Sequence, residues 1–244
     1  MENKSGYDMS ALIQGCEELH ISLTDVQLNQ FEKFYEFLVE RNKVMNLTGI
    51  TEFQEVLTKH FLDSLACARV EDMTKVKKVM DIGTGAGFPG IPLKIAFPEI
   101  EFCLLDSLQK RVKFLQEVFE LLQLQNITAI HGRAEEFAGK KEYRENYDLC
   151  VSRAVSNLST LSEYCLPYVK TGGRFISYKS GKVQEEADQA KHAIYLLGGK
   201  LEKIEYFSLP DTDIERSLVV INKVKNTPGK YPRKAGTPLK EPLS

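Results

Sequence analysis

The sequence predicts an α/β fold, a doubly wound sheet of seven strands with an antiparallel last strand, preceded by a cap of helices. Three observations carry this. From Lys77 onward, short β-branched or apolar runs alternate with amphipathic segments, the signature of repeated β-α units and a largely parallel sheet. The gap before the last run is too short for a parallel crossover, and a glycine-rich turn follows the first run.

The first eighty residues read as helices. Thr24 with Gln27 three positions later forms a capping box, and Leu28, Phe31, Tyr35 and Leu38 follow at helical spacing. Shorter helical patterns over 10–20 and 51–69 flank this segment, and residues 1–72 are expected to cap the main domain, 73–224. Strands are expected at 78–82, 101–106, 127–131, 147–152, 174–178, 200–209 and 217–223. Helices fit the first five gaps. Between the last two runs only a few residues remain, so those strands must form an antiparallel hairpin. The tail from Asn222 carries Lys223, Lys225, Lys230, Arg233, Lys234 and Lys240 against Glu241, with Pro228, Pro232, Pro238 and Pro242 breaking regular structure, and reads as an extended basic arm, of which 225–244 lie beyond the main domain.

Of the 244 residues, 27% are charged and 43% hydrophobic, which suits a globular chain with a sizeable core. A net charge of -2 excludes a globally basic nucleic-acid binder, so any basic surface must be local. No apolar run approaches the roughly 18 residues of a membrane span, and the amino terminus has no hydrophobic signal core, so a soluble, cytoplasmic protein is expected. Cysteines at 16, 67, 103, 150 and 165 lack C-x-x-C spacing and are read as buried thiols with no catalytic role; no metal site is expected.

A doubly wound sheet closed by an antiparallel hairpin resembles the sheet plan of the class I S-adenosylmethionine-dependent methyltransferases, a Rossmann-like fold. The run from Val79 to Gly90 leaves the first strand through Asp81 and places Gly83, Gly85 and Gly87 in the turn before a helix, where the backbone can approach a ligand closely. Gly85, Gly87 and Gly90 also satisfy the dinucleotide fingerprint, so an NAD(P)-dependent oxidoreductase is a rival reading. Asp81 favours a ligand carrying a sulfonium and an ammonium over an anionic pyrophosphate. Asp106, at the end of the second strand, is placed to accept two ribose hydroxyls in either class. The loop after the third strand, with Ala134 and Glu135, is where such methyltransferases commonly hold the adenine. Thr84 and Phe88 complete the expected cofactor set. A bare β-α turn without a ligand is the plain alternative for the glycine run.

The residues then match a narrower group. Asn46-Leu47-Thr48, His60 to Ser64, the run from Asp81 through Gly90 to Pro92, Asp106-Ser107 with Lys110-Arg111, Arg133-Ala134-Glu135, Ser152-Arg153-Ala154, Lys179 to Gly181 and the closing Pro232 to Pro238 resemble the bacterial small-subunit ribosomal RNA (guanine-N7) methyltransferase G family, also called glucose-inhibited division protein B. The resemblance covers nearly the whole chain.

It implies methyl transfer from S-adenosyl-L-methionine to N7 of a guanosine near the decoding site of 16S rRNA, with 16S rRNA or the small ribosomal subunit as partner and a monomeric enzyme. Guanine N7 carries a lone pair and no proton, so no general base is required. Arg153, at the end of the fourth strand, is expected to act in catalysis and to touch the cofactor, and Lys179, at the end of the fifth, to act in catalysis. A surface ion pair is the alternative for Arg153, and a solvated strand-end lysine for Lys179. Arg216 could share their rim, His60 and Asp63 lie on one helical face, and His131 reads as structural. Lys110, Arg111, Arg133, Arg233 and Lys234 are the expected RNA-phosphate contacts, against simple solubilising charge. A cofactor-binding RNA chaperone without turnover is the rival from another class.

Overall fold

The computed structural model describes residues 6–153 and 156–243; Ala154 of the Ser152–Ala154 motif lies outside the described residues. A seven-stranded sheet runs in the order β3-β2-β1-β4-β5-β7-β6, with β1 (Lys78–Ile82), β2 (Glu101–Asp106), β3 (Ile127–His131), β4 (Tyr147–Ser152), β5 (Val169–Ser180), β6 (Gly199–Ser208) and β7 (Glu215–Lys223). The first five strands pair in parallel, and β7 lies antiparallel to both β5 and β6. The order reverses between β1 and β4, so a crevice opens beyond their carboxyl ends.

Strand five is longer than its apolar run suggests. Val169 pairs with Tyr147, and the register shifts before Leu149 meets Arg174. Gly172 takes φ +88°, and a Cβ on Gly173 would lie 2.4 Å from the Asp148 carbonyl oxygen. The Thr171-Gly172-Gly173 run, which precedes the expected strand, is an irregularity inside the observed one.

Alternating side chains divide the core in two. Val79, Phe102, Leu104, Leu149, Val151, Ile176 and Leu218 face one side, and Met80, Cys103, Leu105, Cys150, Phe175 and Val219 the other. On the first face lie α1 (Ser10–Glu18), α2 (Asp25–Met45), a continuous helical stretch α3 over 53–69, α4 (Gly90–Ala96) and α5 (Gln109–Leu121). Phe31, Phe34 and Phe61 of the amino-terminal helices share that core with the sheet residues. After the short α6 (Ala134–Phe137), α7 (Leu158–Cys165) and α8 (Gln184–Leu196) cover the second face. The five cysteines divide as well: Cys16 and Cys67 are buried in the first core, and Cys103, Cys150 and Cys165 in the second.

The capping box on α2 is formed. The Gln27 amide donates to Thr24 Oγ1 while Gln27 Oε1 accepts from the Thr24 amide at 2.8 Å. The same Gln27 side chain donates through Nε2 to the Ile95 and Ala96 carbonyls, closing the last turn of α4. Thr24→Ala is therefore expected to lower stability by about 1 kcal/mol, the usual worth of such a cap, measured as a shift in urea midpoint at unchanged slope.

The carboxy-terminal segment is not the extended arm that its prolines and lysines suggest. Arg144 donates to the Thr227 and Tyr231 carbonyls, Tyr231 and Pro238 are buried, and residues 237–240 form a helical turn, α9 (Thr237–Lys240), packed on α7. Prolines break strands and helices but do not prevent docking when a guanidinium satisfies the irregular carbonyls. Among the described residues no helix is long and apolar enough to cross a membrane, and no His, Cys, Asp and Glu group is spaced to hold a metal.

Candidate active site

Two cavities meet at the carboxyl edge of the sheet. The first, about 580 Å³, is floored by the β1-α4 turn, and Gly83, Thr84, Gly85 and Phe88 line it. The amides of Gly83 and Thr84 donate to the Leu105 carbonyl, which fixes the turn to β2. Gly85 sits at φ +63° with nothing within 4 Å of where a Cβ would stand, so the backbone is bare toward the cavity. Gly87 serves the turn instead: a Cβ there would lie 2.2 Å from Ile91 Cδ1, and the residue does not line the cavity.

Asp81 does not line it either. It is fully buried beneath the turn, where Oδ2 accepts from the Gly90 amide at 2.9 Å. Burial pushes its carboxyl up to about 7, opposed by Thr84, the Gly90 amide and Arg153. The Asp81 carboxylate is therefore not placed to touch a cationic ligand in the cavity, contrary to its expected direct contact. Asp81 Oδ1 and the Thr84 hydroxyl are both buried without a well-formed hydrogen-bond partner, so polar capacity remains directly under the turn.

Asp106 lines the cavity at the end of β2, with Oδ2 accepting from the Gly85 amide and Oδ1 from the Leu108 amide, each at 2.9 Å. Arg111 lies 3.4 Å from Oδ2 and also lines the cavity. Across from them stand Arg133, Ala134 and Glu135 at the start of α6. Bare backbone at Gly85, a carboxylate at ribose reach, apolar walls from Ile82, Leu105 and Leu161, and unmet polar atoms below suit a nucleoside with a charged aliphatic arm.

The second cavity, about 710 Å³, shares His60, Arg153 and Ser156 with the first. Arg153 forms the partition. Its Nη1 donates to Asp63 Oδ2 at 2.9 Å and to the Lys59 carbonyl, Nη2 lies 3.3 Å from His60 Nδ1, and its guanidinium carbon stands 4.9 Å from the centre of the Phe88 ring. Arg216 holds the other Asp63 oxygen at 3.2 Å. His60 and Asp63 come from a π-helical turn in α3 and the residue after it; the sequence pattern shows a helix there but not its widened turn. Lys179 lines the second cavity only, tied to the Ser156 carbonyl at 2.5 Å and to Glu186 at 2.6 Å.

His60 stacks on Phe88 with ring centres 4.6 Å apart, and Nε2 lies 2.7 Å from Thr48 Oγ1. Burial, then the charge of Arg153, pushes the His60 imidazole down to about 3, so it is neutral. Arg153 can only donate, which assigns Nδ1 as acceptor and leaves Nε2–H to donate to Thr48. Unfolded histidine titrates near 6.5, so below that pH the unfolded chain takes up a proton that the folded one refuses. The stability this group contributes is present above about 6.5 and lost as pH falls toward 3. His60→Gln is expected to reduce the stability that wild type loses between pH 7.5 and 5, as measured by urea unfolding at each pH.

Asn46 ends α2 in the left-handed region at φ 52°, and the Asn42 side chain holds the Leu47 and Thr48 amides, which presents Leu47 and Thr48 to the first cavity. Of the expected RNA contacts, Arg111 and Arg133 stand at the mouth of this cavity, while Lys110 and Lys234 are exposed. Arg233 is committed elsewhere: its guanidinium and backbone amide bind the buried Glu163. His131 lies 3.2 Å from the Ser107 carbonyl, in keeping with a structural reading. Tyr164, Ser156 and Leu239 also line the first cavity, and no sequence motif singled them out; the i, i+3 spacing of Leu161 and Tyr164 on α7 was the available signal.

A profile of the rRNA small subunit methyltransferase G family matches residues 27–219. A protein from Lachnoclostridium phytofermentans named ribosomal RNA small subunit methyltransferase G is 56% identical over 236 residues, covering 97% of this chain and 98% of its own. One of the same name from Bacillus subtilis is 50% identical, covering 94% and 96%. A solved S-adenosylmethionine-dependent O-methyltransferase from Thermotoga maritima superposes with a TM-score of 0.53 at 15% identity, over 78% of this chain and 72% of that one, a likeness of fold.

Proposed function

Because the chain belongs to the rRNA small subunit methyltransferase G family, we propose that its two joined cavities transfer a methyl group from S-adenosyl-L-methionine to N7 of a guanosine near the decoding site of 16S rRNA. The observation that carries this reading is the shared wall: one nucleoside-sized cavity and a second pocket meet at His60, Arg153 and Ser156. S-Adenosyl-L-methionine supplies an electrophilic methyl group on a sulfonium.

The chain's residues need only bind, align and exclude water. Asp106 holds the ribose hydroxyls, Thr84 and Gly85 admit the charged arm, and Ala134 with Glu135 borders the adenine. Asp81 acts from beneath, by fixing the turn. The guanine enters the second cavity as an unpaired or extruded base, since the N7 edge of A-form RNA lies in a groove too narrow to reach. When bound, the donor would pass its methyl carbon to the N7 lone pair and leave as a neutral thioether, so the residues lining the pocket have no proton to take up. A neutral His60 that already donates to Thr48 fits chemistry without a base. Rate then comes from alignment across the partition, worth up to about 7–11 kcal/mol in well-oriented systems, and from fixed dipoles around the moving charge.

Arg153, held by Asp63 and the Lys59 carbonyl, stands between the two cavities and positions both reactants. Lys179 lines the base pocket and orders the segment at Ser156. Lys110, Arg111, Arg133 and Lys234 supply phosphate contacts, with Arg233 reserved for the fold. The substrate is 16S rRNA or the small subunit in the cytoplasm, and the chain works as a monomer.

The test is transfer of labelled methyl into unmodified small-subunit RNA, naked and as particles, with the product mapped by cleavage at N7-methylguanosine. Label at one loop guanosine is expected. Absence of label on every RNA while S-adenosylhomocysteine still raises Tm and NAD does not would overturn the substrate and keep the donor.

A further inference from the structure

The carboxy-terminal segment reaches the donor cavity, and each link can be named. Arg233 places its backbone amide 2.7 Å from Glu163 Oε1 and its guanidinium on both oxygens of that carboxylate. The Glu163 carboxylate is almost completely buried, so the pair is a strong determinant of where the segment lies. Thr160, one turn earlier on α7, donates to the Pro238 carbonyl at 2.9 Å. The Gly236 amide donates to Glu135 Oε1 at 2.8 Å, and Glu135 itself lines the cavity. These contacts carry Leu239 into the cavity lining, which also includes Ala134, Glu135 and Tyr164, while the residue remains 61% exposed. An apolar side chain held in place by buried polar contacts, yet left open at a cavity mouth, is poised to be covered by a flat apolar ligand.

We infer that the docked carboxy-terminal segment is the outer wall of the donor cavity at its adenine end, with Leu239 touching the purine and Glu163–Arg233 acting as the latch that positions it. The inference rests on the donor being an adenosine-containing molecule bound as proposed above. A donor that meets Leu239 only in the docked form favours docking by mass action, and loosening the latch lowers donor affinity by the docked fraction. Arg233 thereby acts on the methyl donor through a fold contact, and the basic segment has a role that does not require RNA.

The test uses the full-length chain without RNA, with S-adenosylhomocysteine and adenosine as probes, read by calorimetry and by amide hydrogen exchange. Leu239→Ser is expected to weaken both probes by a common factor of about fivefold, as loss of one partly covered apolar contact. Glu163→Gln is expected to weaken them less and to speed exchange of the Gly236 amide. In the unaltered chain, S-adenosylhomocysteine is expected to slow exchange at Gly236 and its neighbours, a result that needs no variant to fold. Wild-type affinity in Leu239→Ser, together with Gly236 exchange indifferent to S-adenosylhomocysteine, would overturn the inference and leave the donor reading intact. Failure of S-adenosylhomocysteine to bind the unaltered chain would overturn both.

Discussion

Asp106→Ala is expected to weaken S-adenosylhomocysteine binding by roughly 100-fold or more, the largest effect of any single change in the donor cavity. Two hydrogen bonds from ribose hydroxyls to a carboxylate contribute about 1.5 kcal/mol or more each, and their joint loss is already about 100-fold. The carboxylate also fixes the cradle that receives the ligand, because its oxygens accept from the Gly85 and Leu108 amides. Removing it frees the bare turn at Gly85 and leaves Arg111 without its nearby acid. Asp106→Asn should fall between, keeping one acceptor while its amide nitrogen opposes one backbone donor. Calorimetry on both variants measures this, and affinity within threefold of wild type in Asp106→Ala would remove Asp106 from the ribose.

Arg153→Ala is expected to lower methyl transfer to RNA by about 100-fold while S-adenosylhomocysteine affinity changes by less than about fivefold. The guanidinium borders both cavities but forms the partition between them, so its loss widens the passage in which two reactants must align. Asp63 keeps Arg216 after the change, which limits the cost of a buried carboxylate losing one partner. Arg153→Lys preserves charge without the fork that spans Asp63 and His60, and should recover little turnover. Single-turnover rates beside binding constants separate the two effects. Equal losses of turnover and donor affinity would place Arg153 in donor binding alone.

Most of the framework was legible because its signals are local. Strand ends at Ile82, Asp106 and Ser152 follow from apolar runs bounded by turns, and the antiparallel hairpin follows from the length of one gap. The Thr24–Gln27 box could be read from two letters, but the second task of Gln27, closing α4 nearly seventy residues away, could not. The illegible parts are those set by long-range pairing. Charge counting gave Arg233 to RNA, whereas the chain folds it onto Glu163; it set Asp81 against a ligand, whereas burial keeps it under the turn. Leu239 carries no motif, and only the docking of its segment brings it to the cavity. The start of the fifth strand at Val169 rather than at Arg174 was not legible either, because a glycine pair can sit in a turn or in a strand irregularity.

The division of the five thiols between the two faces of the sheet makes them natural reporters of breathing. Burial pushes Cys16 and Cys67 up to about 12 and raises Cys103 and Cys150, so these four carry almost no thiolate while the chain is closed. Alkylation by a maleimide must wait for opening, and the labelled peptide tells which side opened. Reaction at 16 and 67 would time the peeling of the amino-terminal helices, and reaction at 103, 150 and 165 the loosening of the opposite layer. A methyl donor that braces the carboxy-terminal segment on α7 should delay the second set more than the first.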